Sequence, residues 1–363
     1  MKNMRMGGAA AIALVGALAL SSCTAANEVG AGAGAESGLT GTLVGSGASS
    51  QGSAQEAWIA AFQSAHPDVT VEYDPAGSGS GRDTFLAGGA AFAGSDRAFT
   101  VDEIEKGTFG SCVAGSGIVE IPAYISPIAV IFNLDGIESL DLDAATLARI
   151  FLGEITVWND PAIASQNPDV ALPATPIAAV HRADDSGTTE NFTEYLGAAA
   201  PDVWTYAPDG VWPLQGGEAA SQTSGMIDTV SGGIGTIGYA DASRAGGLGT
   251  VAVKVGDEYV PYSTTAAAAV VDASPLEEGR GESDLAIALD RGTDASGVYP
   301  IVLVSYLIGC TEYQDAALGE LAKAYFSYVI SSEGQAVAAE SAGSAPISGQ
   351  LYQKASAAVK AMR

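Results

Sequence analysis

Three short Gly- and Ser-rich segments, each set where a strand ends and a helix begins, narrow the folds open to this chain. They are Gly45-Ser46-Gly47-Ala48-Ser49-Ser50, Gly77-Ser78-Gly79-Ser80-Gly81 and Arg182-Ala183-Asp184-Asp185-Ser186-Gly187-Thr188-Thr189. Around them the apolar pattern alternates between the two-residue period of strands and the 3.6-residue period of helices. Residues 42–44 read as a short strand. Residues 49–65 read as a helix with Trp58, Ala61, Phe62 and Ala65 on one face and Pro67 as its stop. Residues 69–73 alternate as a strand, and Ser80 opens the next helix with Asp83 as its capping-box partner. Residues 91–94 lead as a strand into Ser95 and Asp96. Residues 177–180 form a strand that runs into Arg182, after which Ser186 caps a helix through Leu196, with Phe192 and Leu196 turned inward. This order predicts an α/β fold with a mainly parallel sheet, in which ligands sit beyond the carboxyl ends of the strands.

A helix N-terminus presents unpaired N–H groups and the positive end of the helix dipole, and small residues let an anion reach them. Three such loops predict a cage for a small oxyanion. Arg182 adds a planar guanidinium fork that matches a tetrahedral oxyanion, and Asp184 stands two residues on to hold that fork in place. A surface ion pair is the plainer reading of Arg182 alone. Ser49, Ser78, Ser186 and Thr188 offer hydroxyl donors, a role compatible with ordinary capping. Asp96 is the discriminating residue. A carboxylate repels an anion unless the anion carries a proton to donate. Hydrogen phosphate has such a proton and sulfate does not, so Asp96 would choose between them; a turn-capping aspartate is the alternative.

Bulk properties exclude other classes. The formal charge of −27 over 363 residues argues against nucleic acid, whose recognition needs a basic surface. It also repels anions at long range, so an anion site here must act through close dipoles. Only two histidines, His66 and His181, occur, and there is no P-loop, GxSxG elbow, CxxC or Cys/His cluster. Gly233-Ile234-Gly235-Thr236-Ile237-Gly238 has the dinucleotide spacing but no helix opens after it. The chain therefore reads as a binding protein rather than an enzyme, with no cofactor and no metal.

The first residues carry an export signal. Lys2 and Arg5 precede an apolar stretch over 7–20 that is too short to span a bilayer comfortably, and Leu20-Ser21-Ser22-Cys23 matches a lipoprotein cleavage box. Residues 1–22 are read as the signal peptide, Cys23 as the lipidated residue and 23–38 as a flexible tether. An ordinary signal peptide that happens to contain Cys is the alternative. In an exported chain the remaining pair, Cys112 and Cys310, is a disulfide candidate, with two separate buried thiols as the other possibility. Cys112 lies just before a long apolar run over 118–132 and Cys310 just after another over 298–307. Both runs contain proline (Pro122, Pro127 and Pro300) and could cross between two lobes.

From about residue 43 to its C-terminus the chain closely resembles the phosphate-binding lipoproteins of bacterial high-affinity phosphate ABC importers. The resemblance is carried by residues 45–58, 77–96, 147–196 and 233–239. Its most specific part is Phe151-Leu152-Gly153-Glu154-Ile155-Thr156-Val157-Trp158-Asn159 followed by residues 181–196. The resemblance implies a two-lobed periplasmic-binding-protein fold of type II with a hinge of crossing strands. One lobe would comprise 39–125 and 299–363, and the other 126–298. It implies phosphate ligands at Ser49, Ser50, Ser78, Asp96, Arg182, Ser186, Gly187 and Thr188. Ser49 stands where Thr is common, and Ser50 where a bulky aromatic is frequent, so Ser50 is expected to act through its backbone N–H. Asp185 replaces a usual Gly and adds negative charge; Arg82 could offset it. The expected protein is a monomer, lipid-anchored to the cell membrane outside the cytoplasm. It would capture phosphate and deliver it to ABC permease subunits. A binding protein for another tetrahedral oxyanion, such as sulfate or molybdate, or a surface phosphate sensor, is the alternative.

Overall fold

The computed structural model describes residues 38–363. The leader, Cys23 and the tether up to residue 37 lie outside the described residues. The described chain forms eleven strands: β1 (Gly41–Gly47), β2 (Val69–Asp74), β3 (Phe92–Ser95), β4 (Ile118–Phe132), β5 (Ser139–Leu142), β6 (Ala178–Arg182), β7 (Glu218–Ala220), β8 (Thr236–Asp241), β9 (Gly249–Val255), β10 (Glu258–Val260) and β11 (Val302–Cys310). Their order is β2-β1-β3-β11-β4-β8-β6-β7, with β9 joining β4, β5 and β10 beside this path.

The local strand–loop–helix units pair in parallel: β1 with β2 and β3, and β6 with β7 and β8. The two long apolar runs do not. β11 runs antiparallel to β3 and β4, and β4 runs antiparallel to β8 and β9. The expectation of a mainly parallel sheet is therefore corrected to a mixed one. Period and capping signals describe single units, whereas the direction of a crossing strand is set by the partners it meets far along the chain.

β4 shows how the two lobes are joined. All fifteen of its residues are buried, which is why the run is apolar without alternation. It pairs with β11 as far as Pro127 and with β8 from Ile128 onward, so one continuous strand serves both halves of the sheet. Proline in an inner strand removes a ladder donor and is tolerated at irregularities. Here Pro122 faces Tyr306, beside a register shift between Ser305 and Tyr306. The second crossing strand begins at Val302 and ends at Cys310, later at both ends than the apolar run over 298–307.

Each half has its own aromatic core. Phe62 and Phe92 pack on Tyr325 with ring centroids 5.3 and 5.6 Å apart. In the other half Phe192 stacks on Tyr239 at 4.4 Å and meets Phe151 at 4.9 Å. Such pairs contribute roughly 0.5–1.5 kcal/mol beyond their buried area. The Cys112 and Cys310 sulfurs are bonded at 2.03 Å, tying the end of β11 to the loop before β4.

Two helix boundaries differ from the sequence reading. The first helix starts as a 3-10 turn over Ser49–Gln51 and continues as the α-helix Gly52–Ala65. Its buried face is Ala54, Gln55, Trp58 and Phe62, and Ala65 is exposed. The second helix is Ser78–Leu86, not one opened at Ser80. Gly77 is its N-cap with φ 107°, and no side chain caps it, Asp83 included. Glycine takes this backbone shape at little cost. The helix start is positioned by packing instead: a Cβ on Gly81 would lie 2.3 Å from the Gly47 Cα.

Candidate anion site between the lobes

The first wall of the site forms where β1 and β3 end. The Ala48 N–H donates to the Gly94 carbonyl at 2.8 Å, and the Gly77 N–H to the Gly47 carbonyl at 2.8 Å. These bonds bring the Ser49–Gln51 turn, the start of the Ser78–Leu86 helix and Asp96 together. A Cβ on Gly47 would lie 1.9 Å from the Gly94 oxygen, so no larger residue fits there.

Asp96 is buried among hydroxyls. Its Oδ1 accepts from Ser50 Oγ and Ser305 Oγ, both at 2.6 Å, and its Oδ2 accepts from Thr188 Oγ1 at 3.2 Å. The Asp96 N–H donates to Ser78 Oγ at 3.2 Å. Burial pushes the Asp96 carboxyl above the usual carboxylate range, and these three hydroxyls pull against that rise.

The second wall begins where β6 ends at Arg182. The guanidinium is buried and grips Asp184 with two bonds, Nε to Oδ1 at 2.8 Å and an amino nitrogen to Oδ2 at 2.5 Å. That amino nitrogen also donates to Ser49 Oγ across the cleft at 3.3 Å. Burial acts to raise the Asp184 carboxyl, but the bonds from Arg182 outweigh it and leave it below the ordinary value. Ser186 caps the helix Gly187–Ala199, its Oγ accepting from the Thr189 N–H at 3.3 Å. The N-terminus of this helix meets the first wall. A Cβ on Gly187 would lie 2.6 Å from both Asp96 Cβ and Ser78 Oγ, and the Gly79 N–H donates to the Asp185 carbonyl at 3.2 Å.

Ser49, Ser50, Ser78, Asp96, Arg182, Ser186, Gly187 and Thr188 thus converge from two sides of one cleft. Ser50, expected to act through its backbone N–H, also presents its hydroxyl to Asp96. Sequence reasoning missed several neighbours. Ser305 stands in the middle of β11, and a polar residue inside an apolar run is the signal that could have marked it. Thr223 Oγ1 lies 3.1 Å from Ser49 Oγ, and Asn191 Nδ2 donates to the Asp96 carbonyl at 2.8 Å. No local pattern marks either.

Charges flank the cleft as well. Arg97 reaches Glu190 of the opposite wall, Nε to Oε2 at 2.9 Å, and bonds Glu103 at 2.6 and 2.8 Å. Arg82 is buried, donates to Ser95 Oγ at 2.9 Å and lies 3.8 Å from Asp185. The glycine run 233–238 enters β8 as a turn with Gly235 at φ 91°, not as a helix opening. Among the described residues, no group of three or more His, Cys, Asp or Glu could hold a metal ion, and no helix is long and apolar enough to cross a membrane.

A family model described as a PBP superfamily domain matches residues 32–333. Phosphate-binding protein PstS 3 of Mycobacterium tuberculosis (strain ATCC 25618 / H37Rv) is 33% identical over 377 positions, spanning 100% of this chain and 100% of the relative. The chain belongs to the PstS family of phosphate-binding proteins. PstS of Xylella fastidiosa (strain Temecula1 / ATCC 700964) is 28% identical over 75% of this chain and 72% of its own. Among solved structures, a putative phosphate ABC transporter substrate-binding protein with bound phosphate from Clostridium perfringens superposes with a TM-score of 0.60. It is 20% identical and covers 85% of this chain and 100% of its own. A high affinity periplasmic phosphate-binding protein bound with phosphate gives 0.69 at 21% identity, covering 87% and 93%. Both share the two-lobed α/β fold of this PstS-family chain.

Proposed function

We propose that this chain captures inorganic phosphate between its lobes and delivers it to the permease of an ABC importer. The observation that carries this reading is Asp96. A carboxylate that only accepts hydrogen bonds stands among hydroxyl donors and opposite Arg182. An anion bound there must attract Arg182 and also donate a proton to Asp96. Hydrogen phosphate does both. Sulfate leaves the Asp96 carboxylate facing a second acceptor, an unpaired buried contact that costs about 1–3 kcal/mol or more.

In this reading Ser49, Ser50, Ser78, Ser186, Gly187 and Thr188 supply hydroxyl and backbone donors, Arg182 supplies the charge and Asp184 orients it. The lobes are 39–125 with 299–363, and 126–298. The switch of β4 from β11 to β8 after Pro127 supports this division. Closure by hinge motion would bury the anion in a site where fixed dipoles act strongly. The protein works as a monomer without catalysis, held outside the cytoplasm by a diacylglycerol on Cys23. The full-length match to PstS relatives supports the transport role.

Isothermal titration with phosphate and sulfate tests the reading. Phosphate is expected to bind and sulfate to bind far more weakly. Asp96→Asn is expected to narrow the gap by about 10- to 100-fold, because the amide can donate to sulfate. Equal affinity of the unaltered chain for the two anions would sink the assignment.

A further inference from the structure

The groups behind Asp96 form a chain of hydrogen bonds whose direction is set by one backbone carbonyl. The Gln51 amide approaches the Tyr306 oxygen at 3.0 Å. A carbonyl only accepts, so the amide atom facing it is Nε2. The same nitrogen lies 2.7 Å from Ser305 Oγ and donates its second proton there. Gln51 Oε1 then accepts from Gln55 Nε2 at 2.8 Å, and Gln55 Oε1 accepts from the Tyr325 hydroxyl at 2.7 Å. Ser305 has one proton, and with Gln51 donating to its oxygen that proton goes to Asp96 Oδ1 at 2.6 Å.

Tyr325, Gln55, Gln51 and Ser305 are each no more than 1% exposed, so water does not reach in to reverse the order. The register shift between Ser305 and Tyr306 places the hydroxyl of one and the carbonyl of the other on the same Gln51 nitrogen. A shift of this kind re-aims side chains within a strand.

We propose that Tyr325, Gln55, Gln51 and Ser305 are a one-way hydrogen-bond relay that keeps Asp96 a proton acceptor and so sets the selectivity of the site for a proton-bearing oxyanion. The proposal rests on the phosphate reading above. With Ser305 and Ser50 both donating to Oδ1, that oxygen is filled, whereas Oδ2 accepts only the longer bond from Thr188 and keeps one acceptor site for the ligand's proton. Burial acts to protonate Asp96, and the Ser305 hydroxyl is the largest single influence opposing it. A protonated Asp96 would be a donor and would accept sulfate.

Ser305, Gln51, Gln55 and Tyr325 are positioning residues, since they act through Asp96. Their test is the ratio of phosphate to sulfate affinity, measured by titration calorimetry on the full chain. Ser305→Ala is expected to shrink this ratio about tenfold, the worth of one hydrogen bond to a charged group. Ser305→Thr, which keeps a hydroxyl, is expected to restore it. Tyr325→Phe removes only the hydroxyl that starts the relay and is expected to shrink the ratio about twofold, since polarisation along such chains is modest. If phosphate and sulfate weaken in parallel in Ser305→Ala, or only the melting temperature falls, the relay is overturned and the residue is structural. Should Ser305→Ala not fold, an unchanged ratio in Tyr325→Phe overturns it equally. Failure of the unaltered chain to bind phosphate overturns the functional reading and this proposal together, whereas normal binding with an unmoved ratio overturns the relay alone.

Discussion

Arg182 is held by a carboxylate two residues along its own loop, whereas Asp96 is held by hydroxyls 46, 92 and 209 residues away. The two walls of the cleft therefore assemble by different rules. The Arg182 wall is a local device: a strand end, an Asp that clamps the guanidinium and a Ser that caps the next helix. It takes shape once β6 and the helix Gly187–Ala199 form. The Asp96 wall exists only when the Ser49–Gln51 turn, β11 and the Gly187–Ala199 helix have all docked around the end of β3, because each of the three contributes a hydroxyl to one carboxylate. In the proposed function the local wall attracts any tetrahedral anion and the assembled wall discriminates, since fixing a carboxylate as an acceptor takes donors from several directions.

The largest effect that sharpens this contrast should come from Arg182→Ala. It removes the buried cation, whose hydrogen bonds to a charged group are worth about 1.5–3 kcal/mol each, and leaves the partly exposed Asp184 with the Gln222 N–H as a partner. Phosphate and sulfate titrations should both weaken by two orders of magnitude or more, with their ratio barely altered. A selective loss of phosphate alone would break the division between an attracting and a discriminating wall.

Glu190→Gln should be milder. It removes the ion pair with Arg97 that spans the two walls, which is partly exposed. Stopped-flow release of phosphate should quicken by about fivefold or less, with association little changed. The difference from the unaltered chain should shrink in high salt, and an unchanged release rate would show that this pair does not help hold the walls together.

Asp185→Gly should have the smallest effect. The Asp185 side chain is half exposed and shares the nearby Arg82. Removing its charge should raise phosphate affinity about twofold at low ionic strength. The gain should fade as salt is added, because the Debye length is about 8 Å under physiological conditions. A gain that persists in high salt would point to the backbone freedom of glycine rather than to charge.

Much of the fold could be read from the chain because its signals are short-range. The Ser186 cap, the strand running into Arg182 and the apolar run over 118–132 each depend on neighbours within a few residues, and each corresponds closely to an element of the structure. The start of the Ser78–Leu86 helix did not yield to the same reasoning. Ser80 and Asp83 have capping-box spacing, but close packing of Gly81 against β1 places the first turn two residues earlier. Sheet direction escaped for a similar reason, since strand–loop–helix order does not specify how β4 and β11 cross.

The sequence by itself determined the parts of the site whose chemistry is contained in one loop. Arg182 with Asp184, the hydroxyls at the helix starts, and the presence of a lone Asp96 beside them follow from residue type and spacing. Only the tertiary structure decided what surrounds Asp96. Its partners Ser50, Thr188 and Ser305 are brought in by separate elements, and the direction of the bonds behind it depends on the Tyr306 carbonyl and a register shift in β11. A hydrogen bond's direction depends on every neighbour a group has, and those neighbours are set by packing, not by order along the chain.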